Sequence, residues 1–352
     1  MLEVFTSQLA ASKHLTDEQV GQAVDLLIAE SVPAAMKADF LCHLALKGET
    51  VAEIAAFARA LLAKSVSLPL DPETRDGEIL DVCGTGGDRM NTFNISTTVA
   101  LICAAAGVAV AKHGNRAITS QAGSADVLEA LGIRIDLLAA EAVRSLRERR
   151  FAFFFAPNYH PAFKHIAAAR KLCAERGQRT IFNFLGPLLN PVRPSAQLVG
   201  VPRPELCEPM ARVLQSLGAR RAMVVCGKVT GRNDPEQQNY LDELSTLGGN
   251  TIAEFYQERG FAASELPVEQ FPLQLASLAD LLGGDREANA RIVRSLLEGK
   301  ERGPKRDAVL LNAAAALFVA GRARSLAAGW ELAASVIDSG QASRKLEELS
   351  EG

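Results

Sequence analysis

The sequence predicts an α/β protein whose mainly parallel central sheet is flanked by helices, with a smaller all-α domain at the N-terminus. Two observations support this prediction. Residues 1–70 carry apolar residues at helical spacing and no strand signal, whereas residues 71–352 alternate short apolar runs with helical patterns. Because consecutive parallel strands are joined by a crossover that is usually a helix, such alternation is typical of a parallel sheet.

Composition excludes several classes of function. Of the 352 residues, 48% are hydrophobic and 22% are charged, which is the balance of an ordinary globular protein. A net charge of −3 gives no basic surface for nucleic acid or for a membrane. The six cysteines show no Cys-x-x-Cys spacing, and there is no basic leader and no apolar run of about 18 residues. We therefore expect a cytoplasmic protein without disulfides or zinc.

The N-terminal helices are predicted from their start signals. Capping boxes at 16–19 and 50–53 each precede apolar residues on one helical face, and a further apolar pattern covers 34–46. These apolar faces need a partner, which is either the rest of the chain or another subunit. Pro69 and Pro72 interrupt the pattern, so we place the end of the helical domain near residue 70.

The elements of the larger domain follow in order. Apolar runs predict strands at 79–83, 108–111, 151–155, 197–201 and 222–226. Helical patterns predict helices at 94–106, from 124 onward, and at 157–177, 205–217, 285–298 and 304–319. We expect the polar segment 227–240 to be an exposed loop and residues 347–352 to be a frayed tail.

The first two strands of this domain lead into a predicted phosphate site. A glycine-rich turn at 84–88 follows the first strand, a helix opens at 94–97, and the second strand ends in the basic segment 112–116. Glycines let backbone N–H groups approach an anion, and the start of a helix carries partial positive charge. Lys112 and Arg116 add full positive charge. Two neighbouring strand-to-helix turns match the place where open parallel sheets bind ligands.

Each of these features also has a simpler interpretation. A glycine-rich turn alone is commonly only a tight turn, and Ser96, Thr97 and Ser124 would be ordinary helix caps. The segment is neither a Walker loop nor a Gly-x-Gly-x-x-Gly turn. The occurrence of all three features within one βαβ span favours the phosphate site.

These residues carry a resemblance to a known family. The chain resembles the anthranilate phosphoribosyltransferases of tryptophan biosynthesis, and the resemblance covers nearly the whole chain. The matching segments are GTGGD (84–88), NIST (94–97), KHGNRA (112–117), GSAD (123–126), NYHPAFKH (158–165), RTIFNFLGPLLNP (179–191) and LDELS (241–245).

The resemblance implies a reaction and an assembly. The phosphoribosyl group of phosphoribosyl diphosphate would pass to the amine of anthranilate, and pyrophosphate would leave. It also implies a homodimer formed through the N-terminal helices, and a helical excursion near 157–191 that completes the helical domain.

The resemblance further implies which residues hold phosphoribosyl diphosphate. They are Gly84, Gly87, Asp88, Thr92, Asn94, Ile95, Ser96, Thr97, Lys112, His113, Gly114, Asn115, Arg116, Ser120 and Ser124.

An acceptor site is implied beside them. Its residues would be Gly84, Asn115 and Arg170, with His113 and His160 as neighbours. A guanidinium fork suits the carboxylate of anthranilate. The alternatives are that Arg170 is a surface residue and that the histidines are structural.

A metal site is implied at Asp242 and Glu243, with the Ser96 hydroxyl as a further ligand. Magnesium prefers carboxylate and phosphate oxygens, and the resemblance suggests two ions per subunit. Adjacent acids on a solvated surface are the alternative interpretation of this pair.

The sequence offers no clear nucleophile or general base. Cys83 precedes the glycine turn, but nothing near it in sequence would activate its thiol. The expected chemistry needs neither group, because the amine of anthranilate attacks the anomeric carbon while pyrophosphate departs. We expect an oxocarbenium-like transition state held by Lys112 and the metal, with the two substrates aligned by the protein.

Three departures from the family pattern leave the acceptor open. The segment 171–179 and the loop 228–240 are longer than the pattern, and Gln121 stands where lysine is common. Another aromatic amine is therefore an alternative acceptor. A nucleoside phosphorylase, which would not need the acidic pair, is an alternative activity, whereas the acidic isoelectric point argues against a nucleic-acid-binding homologue.

Overall fold

The computed structural model describes residues 2–117, 121–231, 239–257 and 260–351. Its strands are β1 (Ile79–Gly84), β2 (Ala109–Gly114), β3 (Phe151–Phe155), β4 (Ala196–Gly200), β5 (Arg221–Lys228), β6 (Tyr240–Leu241), β7 (Asn250–Tyr256) and β8 (Gly260–Leu266). They form one eight-stranded sheet in the order β3-β2-β1-β4-β5-β7-β8, with β6 paired to β5.

Helices cover both faces of the sheet and form the N-terminal part. They are α1 (Leu2–Ala10), α2 (Asp17–Ile28), α3 (Ala34–Lys47), α4 (Val51–Leu62), α5 (Pro72–Asp76), α6 (Ile95–Ala105), α7 (Ser124–Ala130), α8 (Ala139–Arg149), α9 (Ala156–Tyr159), α10 (Ala167–Glu175), α11 (Phe182–Leu185), α12 (Cys207–Ser216), α13 (Arg286–Leu297), α14 (Pro304–Val319), α15 (Leu326–Asp338) and α16 (Gln341–Ser350).

The prediction of a mainly parallel sheet is confirmed. Strands β1 to β5 run parallel to one another, and β2 and β4 flank β1 on its two sides. All six residues of β1 have little exposure, as expected for a strand with helices on both faces. The strand order reverses beside β1, so the carboxyl ends of β1 and β4 form a topological switch point, where ligands bind in such sheets.

The antiparallel end of the sheet was not predicted. β7 pairs with β5 and with β8 in antiparallel register. β8 is the edge strand, and most of its side chains face solvent, so it lacks the apolar run that identified the inner strands.

The expectation of a frayed tail is wrong for residues 347–350. Helix α16 continues to Ser350, and Leu346 and Leu349 are buried. An apolar residue every three or four positions packs this short helix on the larger domain, and that packing orders it. Of the polar segment 227–240, Gly227 and Lys228 belong to β5, and residues 232–238 lie outside the described part of the chain.

The first four helices share a hydrophobic core with the segment that follows β3. Ile166, Ala169 and Cys173 are fully buried in the same cluster as Phe40 and Phe57. The Nζ of Lys37 donates hydrogen bonds to the carbonyl oxygens of Ala29 and His165, at 2.7 and 2.8 Å. Helix α10 is therefore anchored on α3.

Among the described residues, no helix combines the length and the apolar character needed to cross a bilayer.

Candidate active site

The glycine-rich turn lies at the carboxyl end of β1. Gly86 and Gly87 have φ angles of +77° and +86°, which side-chain-bearing residues rarely adopt. The N–H of Thr85 donates to the carbonyl oxygen of Gly200 at 2.9 Å, so the turn is fixed to the end of β4. No atom would lie within 4 Å of a Cβ at Gly86 or Gly87, so the turn faces open space that a ligand can enter.

The two adjacent acids lie against this turn. Asp242 Oδ2 accepts the N–H of Gly86 at 2.6 Å, and Glu243 Oε1 accepts the N–H of Ser96 at 3.2 Å. A Cβ at Gly84 would lie only 2.2 Å from Asp242 Oδ2, so the close approach of this carboxylate requires glycine there. The acids therefore join the turn to the start of α6, and their interpretation as a solvated surface pair is wrong.

Burial and neighbouring negative charge disfavour the ionised form of both carboxyl groups. Burial, the charges of Asp88 and Glu243, and a hydrogen bond with Asp88 raise the pKa of Asp242 well above its usual value. Burial raises the pKa of Glu243 to about 7, against the opposing effect of Lys112. Repulsion within such a cluster is relieved by a proton or by a cation.

The acids fit a magnesium ion that also binds a substrate. Within the described ranges, no group of three or more His, Cys, Asp or Glu side chains is arranged to hold a metal on its own. The two carboxylates and the Ser96 hydroxyl supply hard oxygen ligands, which magnesium combines with phosphate oxygens and water. The donor set is therefore suited to an ion completed by a diphosphate.

Two buried asparagines fix the acidic segment, and sequence reasoning missed both. Asn312 Oδ1 accepts the N–H of Leu244 and its Nδ2 donates to the Leu244 carbonyl oxygen, each at 2.9 Å. Asn250 Oδ1 accepts the N–H of Ser245 at 2.6 Å. Asn312 could have been noticed in the sequence as a single polar residue among the apolar residues of α14. A buried amide needs hydrogen-bond partners, so such a residue indicates a structural contact.

The two basic residues of the second strand end have different surroundings. Lys112 is buried, and its Nζ donates to the Val82 carbonyl oxygen at 2.6 Å and to Ser96 Oγ at 3.4 Å. Arg116 is half-exposed, and its Nη1 lies 3.0 Å from carboxylate oxygens of Asp126 and Glu129. Lys112 thus places its charge beneath the start of α6, whereas the Arg116 charge is already paired.

The start of α6 differs from the simple capping interpretation. The N-cap residue is Asn94, and its side chain does not bond to the helix N–H groups. Ser96 and Thr97 lie inside the first turn, and the buried Oγ1 of Thr97 has no hydrogen-bond partner in the described structure. Ser124 is not a cap either, because the N-cap of α7 is Gly123. These hydroxyls are therefore not used for capping.

The other predicted donor-site residues lie around the same edge. Thr92 pairs with Leu282 in an isolated bridge, Ile95 is the buried first residue of α6, and Gly114 ends β2. Asn115 Oδ1 accepts the N–H of Arg116 at 2.8 Å, and Ser124 Oγ donates to the Asn115 carbonyl oxygen at 3.4 Å. Ser120 lies outside the described residues.

Arg170 is on α10, with its guanidinium carbon 5.3 Å from the centre of the Phe182 ring. Burial lowers the pKa of this arginine, and it remains charged at neutral pH. No ion pair of Arg170 occurs within the part of the chain that the structure describes. A partly buried guanidinium without a carboxylate partner is suited to bind a carboxylate ligand.

The two predicted histidines are neighbours and are buried. Their ring centres are 5.4 Å apart. His113 Nδ1 lies 3.3 Å from the Gly186 carbonyl oxygen, and His160 Nε2 lies 2.7 Å from the Leu189 carbonyl oxygen. Burial lowers the pKa of His113 to about 3, so this ring is neutral at physiological pH. Both rings therefore contact the segment between α11 and β4.

The thiol of Cys83 remains protonated in these surroundings. Burial and the nearby carboxylates of Asp81 and Glu243 raise its pKa well above its usual value. A protonated thiol is a poor nucleophile, so the structure gives no support to covalent chemistry at this cysteine.

Comparisons with known proteins identify the family of this chain. Residues 76–343 match the family described as glycosyl transferase family, a/b domain, and residues 5–65 match its helical bundle domain. Two related sequences are named anthranilate phosphoribosyltransferase. That of Petrotoga mobilis is 43% identical over 100% of this chain and 96% of its own length. That of Symbiobacterium thermophilum is 46% identical over 99% of this chain and 97% of its own length.

Solved structures give the same result. The anthranilate phosphoribosyltransferase of Thermus thermophilus superimposes with a TM-score of 0.85 at 40% identity and covers 98% of both chains. The enzyme of Saccharomyces cerevisiae, solved with PRPP and Mg, gives a TM-score of 0.83 at 27% identity over 99% of this chain and 97% of that one. The chain belongs to the anthranilate phosphoribosyltransferase family.

Proposed function

We propose that this chain transfers the phosphoribosyl group of phosphoribosyl diphosphate to the amine of anthranilate, giving N-(5-phosphoribosyl)anthranilate and pyrophosphate. The observation that carries the proposal is the meeting of the glycine turn, the acidic pair and Lys112 at the β1–β4 switch point. The yeast relative was solved with PRPP and Mg, and also with 4-fluoroanthranilate, which supports both substrates.

The glycine turn and the first turn of α6 hold the donor. Asp242 and Glu243 occupy the N–H groups of Gly86 and Ser96, so the diphosphate faces the other N–H groups of these two turns, and the partial positive charge of the helix start favours the anion. The Thr97 hydroxyl and the Asn94 amide lie beside these groups. Lys112 supports the Ser96 hydroxyl from below and supplies a full positive charge.

Magnesium completes the donor site, and we propose two ions per subunit. When bound, magnesium neutralises the charge that develops on the departing diphosphate. Asp242, Glu243 and Ser96 would hold these ions. Each carboxylate is fixed through a different backbone N–H, that of Gly86 or of Ser96, which supports two separate ligand positions.

Arg170 orients the acceptor through its carboxylate, and His113, His160 and Asn115 shape the space beside it. The amine nitrogen attacks the anomeric carbon while the bond from that carbon to the diphosphate breaks. The residues act by alignment and charge stabilisation, which together supply most of the expected rate enhancement. No side chain is required as a nucleophile.

We propose that the subunit has two domains and forms a homodimer. Residues 1–70 together with the excursion near 157–191 form the helical domain, and residues 71–352 form the α/β domain. The hydrogen bond from Lys37 Nζ to the His165 carbonyl oxygen, which joins α3 to the excursion, supports its assignment to the helical domain. Val4 on α1 is 66% exposed and Leu46 on α3 is 72% exposed, and these unpaired apolar groups support a dimer contact through the N-terminal helices.

The decisive experiment follows the loss of anthranilate fluorescence with phosphoribosyl diphosphate and magnesium present. A panel of other aromatic amines and a mixture of nucleoside with phosphate are run beside it. Turnover of anthranilate alone is the expected result. Turnover of another amine in preference to anthranilate, or of the nucleoside, would contradict the proposal.

The metal role has its own variant. Asp242→Asn combined with Glu243→Gln removes both charges while preserving shape, so turnover at limiting magnesium should fall by about a hundredfold or more. Asp76→Asn, at an exposed acid that precedes the amino end of β1, is the control. Unchanged kinetics of the double variant would remove the metal assignment.

A further inference from the structure

A short chain of hydrogen bonds runs through Asn94 and an asparagine that is distant in the sequence. Asn289 on α13 is buried, and its Nδ2 donates to Asn94 Oδ1 at 2.9 Å although 195 positions separate the two residues. Asn289 Oδ1 accepts the N–H of Gly284 at 2.9 Å. Asn94 Nδ2 in turn donates to the carbonyl oxygen of Ala122 at 3.3 Å. The two side-chain amides thus connect two backbone groups.

This arrangement fixes the orientation of both amides. A backbone N–H can only donate, so the Asn289 atom facing Gly284 must be oxygen, and its nitrogen must face Asn94. The Asn94 atom that receives this bond is therefore oxygen, and its nitrogen faces Ala122, whose carbonyl oxygen can only accept. Backbone groups at both ends define the assignment, which is often ambiguous for an isolated asparagine.

The orientation matters because Asn94 stands at the start of α6, beside the proposed donor site. The Nδ2 group carries two hydrogens, and the bond to Ala122 uses one. The second is available to a phosphate oxygen. If the amide were reversed, Oδ1 would face the anion and repel it.

The surrounding backbone supports the same contact. The N–H of Gly283 donates to the Asn91 carbonyl oxygen at 2.9 Å, and the N–H of Phe93 donates to the Leu281 carbonyl oxygen at 3.1 Å. A Cβ at Gly283 would lie 2.5 Å from Asn289 Oδ1 and 2.8 Å from the Cα of Phe93. The segment before α13 therefore lies directly against the loop that carries Thr92 and Asn94.

We propose that Asn289 is a positioning residue that acts through Asn94 to present an amide N–H to the diphosphate of the donor. This inference rests on the proposed function, because it assumes phosphoribosyl diphosphate as the ligand. Asn289 does not touch the donor itself.

Asn289→Asp is the sharpest test. Aspartate keeps the oxygen that accepts the Gly284 N–H, but it replaces the donor to Asn94 with a second oxygen. The Asn94 amide then reverses to donate to the new carboxylate, and its oxygen turns toward the anion. A hydrogen bond to a charged ligand is lost, so the KM for phosphoribosyl diphosphate should rise about tenfold or more, while kcat and the KM for anthranilate change less than about twofold.

A double-variant cycle separates positioning from folding. The cycle compares Asn289→Asp and Asn289→Ala, each alone and combined with Asn94→Ala, and Asn94→Ala alone. Calorimetry measures the binding of phosphoribosyl diphosphate with magnesium, and kinetics and thermal unfolding are recorded for each variant. If Asn289 acts through Asn94, its substitution changes donor affinity less than about twofold once Asn94 is alanine. Val293→Ala, one turn further along α13 and fully buried, should lower the melting temperature without changing donor affinity.

Each outcome has a distinct meaning. Failure of the wild-type chain to bind the donor would overturn the proposed function. If the wild type binds the donor, two results would overturn the positioning role. One is that Asn289 substitutions weaken donor binding equally whether residue 94 is asparagine or alanine. The other is that Val293→Ala weakens donor binding as much as Asn289→Ala does at a similar loss of melting temperature. Asn289→Ala keeps the test available if the aspartate variant does not fold.

Discussion

Arg170 carries a guanidinium that burial and the Phe182 ring hold in place before any ligand binds. Arg170→Ala removes the proposed partner of the acceptor carboxylate, so the KM for anthranilate should rise about ten- to a hundredfold. The KM for phosphoribosyl diphosphate should stay within about twofold. Steady-state kinetics with each substrate varied in turn measure both values.

The controls for Arg170 lie at the same position and at the C-terminal end of the same helix. Arg170→Lys keeps the charge but loses the planar fork, and an intermediate effect is expected. Arg176→Ala breaks an exposed ion pair with Asp39, at 2.7 Å, and a weak contact with Cys42 Sγ, and should leave both KM values unchanged. Equal effects of Arg170→Ala on the two substrates would reject its role as the acceptor clamp.

Asp81 is a fully buried carboxyl group in the middle of the parallel sheet. Its Oδ2 accepts a hydrogen bond from Asn190 Nδ2 at 2.9 Å. Burial raises its pKa to about 6, even though Lys112 favours the ionised form. The folded state therefore binds a proton more tightly than the unfolded chain, so this group's contribution to stability is present below about pH 4 and is lost as the pH rises through about 6.

A substitution at Asp81 tests the direction of this linkage. Asp81→Asn is neutral at every pH, so its melting temperature relative to the wild type should increase between pH 4 and pH 7 and then level off. Thermal unfolding of both proteins across this range measures the difference, with Asp76→Asn as an exposed control. A difference that is independent of pH, or that decreases as the pH rises, would show that Asp81 is not protonated in the folded protein near pH 5.

At the scale of elements, the glycine turn requires space as well as flexibility. A Cβ at Gly84 would overlap Asp242 Oδ2, so Gly84→Ala should displace the carboxylate and weaken magnesium activation about tenfold or more. Magnesium titration of the initial rate measures the shift. Gly249→Ala, where no atom lies within 4 Å of the new Cβ, is the matched control, and an unchanged magnesium dependence in Gly84→Ala would contradict the assignment.

The strands and helices differ in how well the sequence predicted them. The strand, glycine turn and helix from Ile79 to Ala105 are contiguous and strongly patterned, and the sequence predicted them closely. The exposed edge strand β8 was missed because its stability comes from pairing with β7 and not from an apolar run of its own. The residues proposed to touch substrate lay mostly within recognisable motifs.

The residues that position these substrate-contacting residues could not be found from sequence motifs. Asn289 and Asn312 act on segments that are 195 and 68 positions away. A local pattern carries no information about such contacts, because an isolated asparagine in a helix is equally compatible with solvent. Only the folded arrangement shows that these two amides fix Asn94 and the acidic segment.

At the scale of the whole molecule, the proposed partner of the acceptor carboxylate lies in a different part of the chain from the proposed donor site. The donor residues lie at the carboxyl edge of the sheet, whereas Arg170 lies on α10, which packs in the core of the N-terminal helices. Under the proposed function, the position of the acceptor therefore depends on how α10 is anchored. Substitutions in that anchor should affect the acceptor and spare the donor.

Lys37 provides the test of this dependence. Its buried Nζ donates to the carbonyl oxygens of Ala29 and His165, the latter just before α10. Lys37→Met preserves most of the side-chain volume but leaves both carbonyl groups without this donor, so the free energy of unfolding should fall by about 1–3 kcal/mol. Because His165 positions the start of α10, the KM for anthranilate should also rise several-fold, with the donor KM unchanged.

Urea unfolding and kinetics measure the two effects, and Lys171→Met, at an exposed position on α10, is the control. A loss of stability with no change in the anthranilate KM would show that the Lys37 contact does not position the acceptor site.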